Sequence, residues 1–229
     1  VSSLVAASDL ARAAYCPRQL YYARRDDDRA PPPAVRDARA LAFEYPALLD
    51  GPADELATRP ISVSPSAYRE NLARLHDRDD WDALTDPVAR DVLLSGKDCR
   101  GIAHKLVRSP DDGDEDDQPP VPSLVSPGEP PERGVWEPQR VRAVALAKAL
   151  SWEREASVSR ALVEYPAVGV VRTVRLTTGN KAAYRRALHI ARNLDFVPSR
   201  LRDSSKCESC AYRGRCGVKT WSLSSLLGR

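Results

Sequence analysis

Lys206-Cys207-Glu208-Ser209-Cys210-Ala211-Tyr212-Arg213-Gly214-Arg215-Cys216 is the stretch on which the reading of this chain turns. Two residues separate Cys207 from Cys210, and five separate Cys210 from Cys216. A C-x-x-C pair with a third close cysteine is a ligand signature, because three thiolates in one loop can converge on one metal centre. A four-thiolate site needs one more sulfur, and of the five cysteines only Cys16 and Cys99 remain. Cys16, in Tyr15-Cys16-Pro17-Arg18-Gln19-Leu20-Tyr21, is the expected fourth. Such a site joins residue 16 to residue 207, and closing so long a loop costs on the order of 4–5 kcal/mol. Metal binding must exceed that cost, so folding is expected to depend on the site. Spacing leaves zinc and an iron–sulfur cluster both open, since each takes four thiolates.

The totals narrow the class. A chain of 229 residues can bury a sizeable core as a single domain, 1–229. Basic and acidic residues number 35 and 32, for a net charge of +3, so no strong overall polarity points to a partner. The charge is uneven, with an acidic run from Asp111 to Asp117 and a basic stretch from Arg185 to Arg215. Val1-Ser2-Ser3-Leu4-Val5 lacks the basic region and long apolar core of a leader, and no apolar run approaches membrane-spanning length. A cytoplasmic protein with metal-ligating cysteines, no disulfides and no membrane contact is expected.

Ser8 and Asp9 read as a helix start, and Pro17 fits the first position of a second helix to about Arg24. Cys16 then sits at a helix N-terminus, whose positive dipole end favours the thiolate, with Arg18 beside it. Leu20, Tyr21 and Tyr22 read as core. Asp26-Asp27-Asp28 and Pro31-Pro32-Pro33 read as a polar loop. Val35, Ala38, Ala42, Tyr45 and Leu49 recur at helical spacing. Residues 50–100 read as a mostly helical insert, with a short strand at Ile61 and Val63 and helices opened by Pro65 and by Asp86-Pro87, the last running through Val92 and Leu93 to Gly96. His76 reads as an exposed helix end.

Strands are expected at Gly101–Val107 and Val121–Ser126, joined by the acidic loop, which reads as solvated. A helix follows from Pro138 to about Glu153, rich in alanine and so able to approach a sheet closely. Val158–Tyr165 and Val168–Thr177 read as paired β segments. The helix after Gly179-Asn180 carries an apolar face of Ala183, Ala187, Ile190 and Leu194, with Lys181, Arg185, His189 and Arg192 on another face. This basic stripe is a candidate DNA-binding surface, weighed against an ordinary solvated helix face. A polar tail with Trp221 and Leu226 closes the chain.

A Tyr-Cys-Pro-Arg near the start, followed far downstream by C-x-x-C-x-Tyr and a final cysteine, resembles the CRISPR-associated RecB-like exonucleases of the Cas-four type. The resemblance covers both ends and the order of elements from Gly101 to Cys216, and is weak over residues 50–100. It implies an α/β fold of the PD-(D/E)XK restriction-nuclease kind, a mixed sheet flanked by helices. A lobe from residues 8–24 and 200–218 would hold a 4Fe–4S cluster on Cys16, Cys207, Cys210 and Cys216, with zinc as the alternative. It also implies a role in antiviral defence, at spacer acquisition, with DNA and the integrase as partners.

The same resemblance exposes a gap. Members cut DNA with Mg or Mn held by an Asp on one strand and a Glu-x-Lys on the next, because hard cations want oxygen ligands. Laid onto this chain, those positions fall on His104 and on Leu124-Val125-Ser126. Gln139 fits the family's helix glutamine, while the tyrosine expected four residues later is Ala143, and the helix at 34–49 lacks the family's histidine. The expectation is therefore a DNA-binding or scaffold member with a degenerate nuclease site. Two alternatives stand beside it: an active exonuclease of single-stranded DNA using His104, Asp98 or Glu137, which would need Mg or Mn, and a zinc-stapled interaction module without DNA contact. His104 alone reads more simply as a half-buried histidine with a hydrogen-bond partner.

Overall fold

The computed structural model describes residues 3–26, 33–108, 119–201 and 205–217. The acidic run Asp111 to Asp117, Pro31, Pro32 and the tail with Trp221 and Leu226 lie outside the described residues. Chain order is β1 (Val5–Ala6), α1 (Ala7–Tyr15), α2 (Pro17–Ala23), α3 (Pro33–Ala42), α4 (Tyr45–Asp50), α5 (Ala53–Thr58), α6 (Pro65–His76) and α7 (Trp81–Thr85). Then come β2 (Ala89–Ser95), β3 (Cys99–Val107), β4 (Val121–Val125), α8 (Glu137–Glu153), β5 (Arg160–Tyr165), β6 (Val170–Arg175), α9 (Thr178–Arg192) and α10 (Arg213–Cys216).

The fold is α/β, a mixed six-stranded sheet flanked by helices, as the sequence indicates. Strand β3 is its axis. On one edge it pairs antiparallel with β2, from Ala89↔Leu106 to Ser95↔Arg100. Its other edge is shared: β1 pairs parallel with it at Val5↔Cys99, and β4 pairs antiparallel at Lys105↔Ser123. Strand β5 runs parallel to β4, a pairing that needs the α8 crossover, and β6 returns antiparallel. The β5–β6 turn is a short 3₁₀ segment closed by Gly169 at φ 66°, a left-handed conformation that costs glycine least.

Apolar side chains fill both faces. One core cluster joins β3, β4 and β5 to α1, α8 and α9; the other joins α3, α4, α6 and α7 to the opposite face. Helix α8 is buried without period from Ala143 to Ala147, because it touches the sheet, α1 and α9 at once. Small residues permit the close approach: a Cβ on Gly96 would meet the Ala149 Cα of α8 at 2.8 Å, and one on Gly101 would meet the Ala7 Cβ of α1 at 2.6 Å.

Three expectations fail locally. The helix expected after Asp86-Pro87 is strand β2, because Ala89–Ser95 finds a partner in β3, and Gly96 belongs to their turn. Ile61 and Val63 form no strand; the Ser62 amide instead donates to the Ala167 carbonyl at 2.7 Å. The helix expected over 34–49 breaks at Phe43–Glu44 into α3 and α4, restarted by Pro46 in the first turn of the second. His76 does end α6, half exposed.

Candidate cysteine lobe and sheet site

Cys16 caps α2, with extended backbone and Pro17 at the first helical position. The helix therefore begins at the thiol, as the Cys-Pro pair indicates. In the C-terminal loop, Cys207 closes a 3₁₀ turn, the Cys210 amide donates to the Cys207 carbonyl at 3.3 Å, and Cys216 ends α10. Gly217 follows at φ 64°, the left-handed end of that helix. All four cysteines line one pocket of about 20 Å3, although nearly the whole chain separates Cys16 from the rest.

Tyrosines hold the two ends together. The Tyr15 hydroxyl donates to the Lys206 carbonyl, and the Tyr22 hydroxyl donates to the Arg215 carbonyl at 3.3 Å. Tyr22 also stacks on Tyr212, with ring centroids 5.9 Å apart. Leu20 is core, but Tyr22 is a tether, a role its apolar neighbours hide in sequence. Gln19 Nε2 points at Cys210 Sγ across 3.9 Å. The hydrogen bond to Tyr22, and then the Cys216 and Cys16 thiols, raise Arg18 above its ordinary value, which places a cation beside two of the sulfurs. Four thiols, a cation and an amide donor suit in kind a centre that gathers negative charge. Among the described residues, no three His, Cys, Asp or Glu side chains stand close enough to hold a metal ion. Cys99 lies apart, buried in β3, with its thiol donating to the Ala145 carbonyl at 3.5 Å; burial pushes that thiol up.

The nuclease-like positions meet on the α8 side of the sheet, held by neutral hydrogen bonds. His104 is buried, and its Nδ1 accepts from the Val125 amide at 2.7 Å. The β3–β4 ladder ends at Lys105↔Ser123, so the imidazole takes over as acceptor where the strands part. With Nδ1 accepting, the neutral ring carries its proton on Nε2. Burial first, then the charges of Arg142, Arg39 and Lys105, lower the His104 pKa to about 3. Leu124 is core. Ser126 Oγ accepts from Gln139 Nε2 at 2.6 Å, and Gln139 Oε1 accepts from the Tyr165 hydroxyl. Neither a carboxylate nor a cation belongs to this chain of contacts. Asp98 sits six residues from His104, roughly 20 Å along the strand, and pairs with Arg192 at 3.1 Å. Glu137, in the first turn of α8, pairs with Arg186 at 3.4 Å.

On the opposite face lies a pair that sequence reasoning missed. Lys105 and Glu164 are both 0 % exposed, joined at 2.9 Å. Lys105 Nζ also donates to the carbonyls of Ala42 and Leu84, at 2.5 and 2.9 Å. Glu164 accepts from Ser123 at 2.5 Å and from Tyr45 at 3.0 Å. Every donor of the ammonium is used, so the pair locks α3 and α7 onto the sheet and offers nothing to a ligand. Burial and Glu164 push Tyr45 well above the usual phenol value. Lys105 is followed by Leu106-Val107 and Glu164 preceded by Ala161-Leu162-Val163, but Arg100, His104 and Arg160 in the same strands blunt that signal.

Lys181, Arg185, His189 and Arg192 all project from the solvent side of α9, opposite Ala183, Tyr184, Ala187, Leu188 and Ala191. Ile190 and Leu194 are only partly buried. Arg192 leans to Asp98, and His189 Nδ1 lies 3.3 Å from the Asn193 amide. Among the described residues no helix is long and apolar enough to cross a membrane. Set against known proteins, the chain matches no family model and no curated protein.

Proposed function

We propose that this chain is a DNA-handling protein of the CRISPR-associated RecB-like kind, acting in spacer acquisition beside the integrase, with a degenerate nuclease site. The observation that carries this reading is the meeting of Cys16, from one end of the chain, with Cys207, Cys210 and Cys216, from the other, in one pocket. These four would hold a 4Fe–4S cluster. When bound, the cluster supplies a four-thiolate staple between the two ends. Arg18 and Gln19 would offset its charge.

Two further observations support the reading. His104, Leu124 and Ser126 on the strands and Gln139 on α8 share one neighbourhood, where among the described residues the hydrogen bonds of His104, Ser126 and Gln139 include no carboxylate for Mg or Mn. A groove of about 560 Å3, lined by Tyr15, Trp136, Gln139, Lys206 and Ser209 among others, runs between the start of α8 and the cysteine loop. Tyr15 and Trp136 offer rings on which bases of a single strand can stack, and Lys206 offers one cation to a phosphate, beside a Glu137 carboxylate that Arg186 pairs.

The test is purification without oxygen, followed by metal, sulfide and DNA assays on the same protein. Brown protein carrying iron and sulfide, which binds DNA and shows no Mg- or Mn-dependent cleavage, is the expected result. Colourless protein with one zinc per chain and no DNA binding would replace the reading with a zinc-stapled interaction module. Metal-dependent cleavage that is abolished by His104→Ala would install an active exonuclease instead.

A further inference from the structure

A second cavity stands apart from both the cysteine lobe and the Gln139 groove. It measures about 380 Å3 and opens where the β2–β3 turn meets the C-terminal end of α8 and the start of α9. Along α8 it is separated from Gln139 by nine to thirteen residues, Lys148 to Trp152, or roughly 15–20 Å. Lys97, Lys148 and Lys181 come to it from three different elements. Among the described residues none of the three forms an ion pair, and Lys148 Nζ rests 5.5 Å from the Tyr184 ring centre. The one carboxylate in the lining, Asp98, is already held by Arg192 at 3.1 Å. Glu153, nearby, is occupied by the Ser95 amide.

Two aromatic residues complete the cavity. Trp152 lines it while 58 % exposed, so an indole face borders the opening. Tyr184 lines it while 1 % exposed, and its hydroxyl is buried against the Cys99 thiol, a weak hydrogen-bonding partner. A thiol is a poor partner for a buried hydroxyl, and a ligand oxygen would hold it more strongly.

We propose that this cavity binds a nucleoside monophosphate. The phosphate sits among Lys97, Lys148 and Lys181, the base lies on Trp152, and the Tyr184 hydroxyl takes up a ligand oxygen. The chemistry follows from the lining: three ammonium groups against one carboxylate, Asp98, which Arg192 already pairs, select a phosphate, and an exposed indole selects a flat ring. The volume lies in the range of small-ligand sites and is too small for a folded partner. The site rests on lining that the cysteine pocket and the groove do not share; it has Lys181 in common with the basic stripe of α9, so Lys97→Ala alone separates nucleotide binding from DNA binding.

Calorimetric titration of the full chain with AMP, adenosine and inorganic phosphate tests it, with tryptophan fluorescence as a second readout. AMP should bind at least about tenfold more tightly than adenosine, as expected for loss of one charge-assisted contact. Lys97→Ala with Lys181→Ala should weaken AMP by about tenfold or more, and both sites are exposed, so the fold should survive. Trp152→Ala should abolish most of the fluorescence change on binding and weaken AMP, and Tyr184→Phe should weaken AMP while leaving inorganic phosphate nearly unaffected. A 5′-phosphorylated dinucleotide run beside its 5′-hydroxyl form separates a free nucleotide from the end of a strand: competition by the phosphorylated form assigns the site to either source, and its absence to the free nucleotide. No AMP binding by the wild type, or equal binding by the double-lysine variant, would overturn the site. Iron content and DNA affinity would be untouched by that failure.

Discussion

His104 concentrates the difference between what this sheet resembles and what it can do. A metal ligand must offer a lone pair, and the Nδ1 pair of His104 is spent on the Val125 amide. Its depressed pKa has a consequence for stability. The unfolded chain takes up the proton near pH 6.5, whereas the folded protein resists it until about pH 3. The stabilising contribution is therefore full above 6.5 and is lost progressively as pH falls from there toward 3. Urea unfolding of wild type and His104→Asn across that range should show a flatter pH dependence in the variant; parallel curves would mean the ring is not held neutral by the fold. Lys105 gives a second residue-level expectation. Lys105→Met leaves Glu164 buried and unpaired, at a cost of about 3–5 kcal/mol. Removing both charges in Lys105→Met with Glu164→Gln should cost less than the single change, because the orphaned charge is gone. A double variant as unstable as the sum of its parts would deny the coupling.

Among the elements, α9 carries the clearest expectation. Its outer face presents Lys181, Arg185 and His189 to solvent, in the spacing that tracks a phosphate backbone. Arg192 is better left alone, since it holds Asp98. Arg185→Glu should weaken DNA binding and reduce the salt slope by about one, without altering sequence preference. Affinity and slope identical to wild type would make the stripe an ordinary solvated face. This helix was legible in sequence because its apolar period is local; its start falls earlier than the expected one after Gly179-Asn180, since the Thr177 hydroxyl caps it and accepts from the Asn180 amide at 3.3 Å. Strand β2 was not legible. Asp86-Pro87 before a short apolar run gives a valid helix start, and only pairing with β3, which no local signal reports, makes Ala89–Ser95 extended. The cysteine residues could be found from spacing, while the Lys105–Glu164 pair could not, because its partners are 59 residues apart and obey no motif.

For the whole molecule, the proposed staple makes the ends interdependent. Tyr15 and Tyr22 already bind the C-terminal loop through its carbonyls. A cluster on the four thiols would add a further tether to these contacts, against a loop-closure cost on the order of 4–5 kcal/mol. Cys16→Ser should consequently release the cofactor and lower the yield of soluble protein. Cys99→Ser, in the core away from the pocket, should keep the cofactor. Cofactor content measured on both purified variants decides the point; loss from Cys99→Ser with retention in Cys16→Ser would reverse the assignment.

The parallel pairing of β1 with β3 also dictates an order of events during synthesis. Val5 has no strand partner until Cys99 exists, and α1 packs chiefly on α8, which is complete only at Glu153. At a pace of about 5–20 residues per second, α1 waits roughly seven to thirty seconds for α8 to be made, with Leu10 and Ala13 lacking that cover. Within this chain α1 is thus open to chaperones and proteases for longer than α8 or β5, whose partners α1 and β4 already exist when they are made.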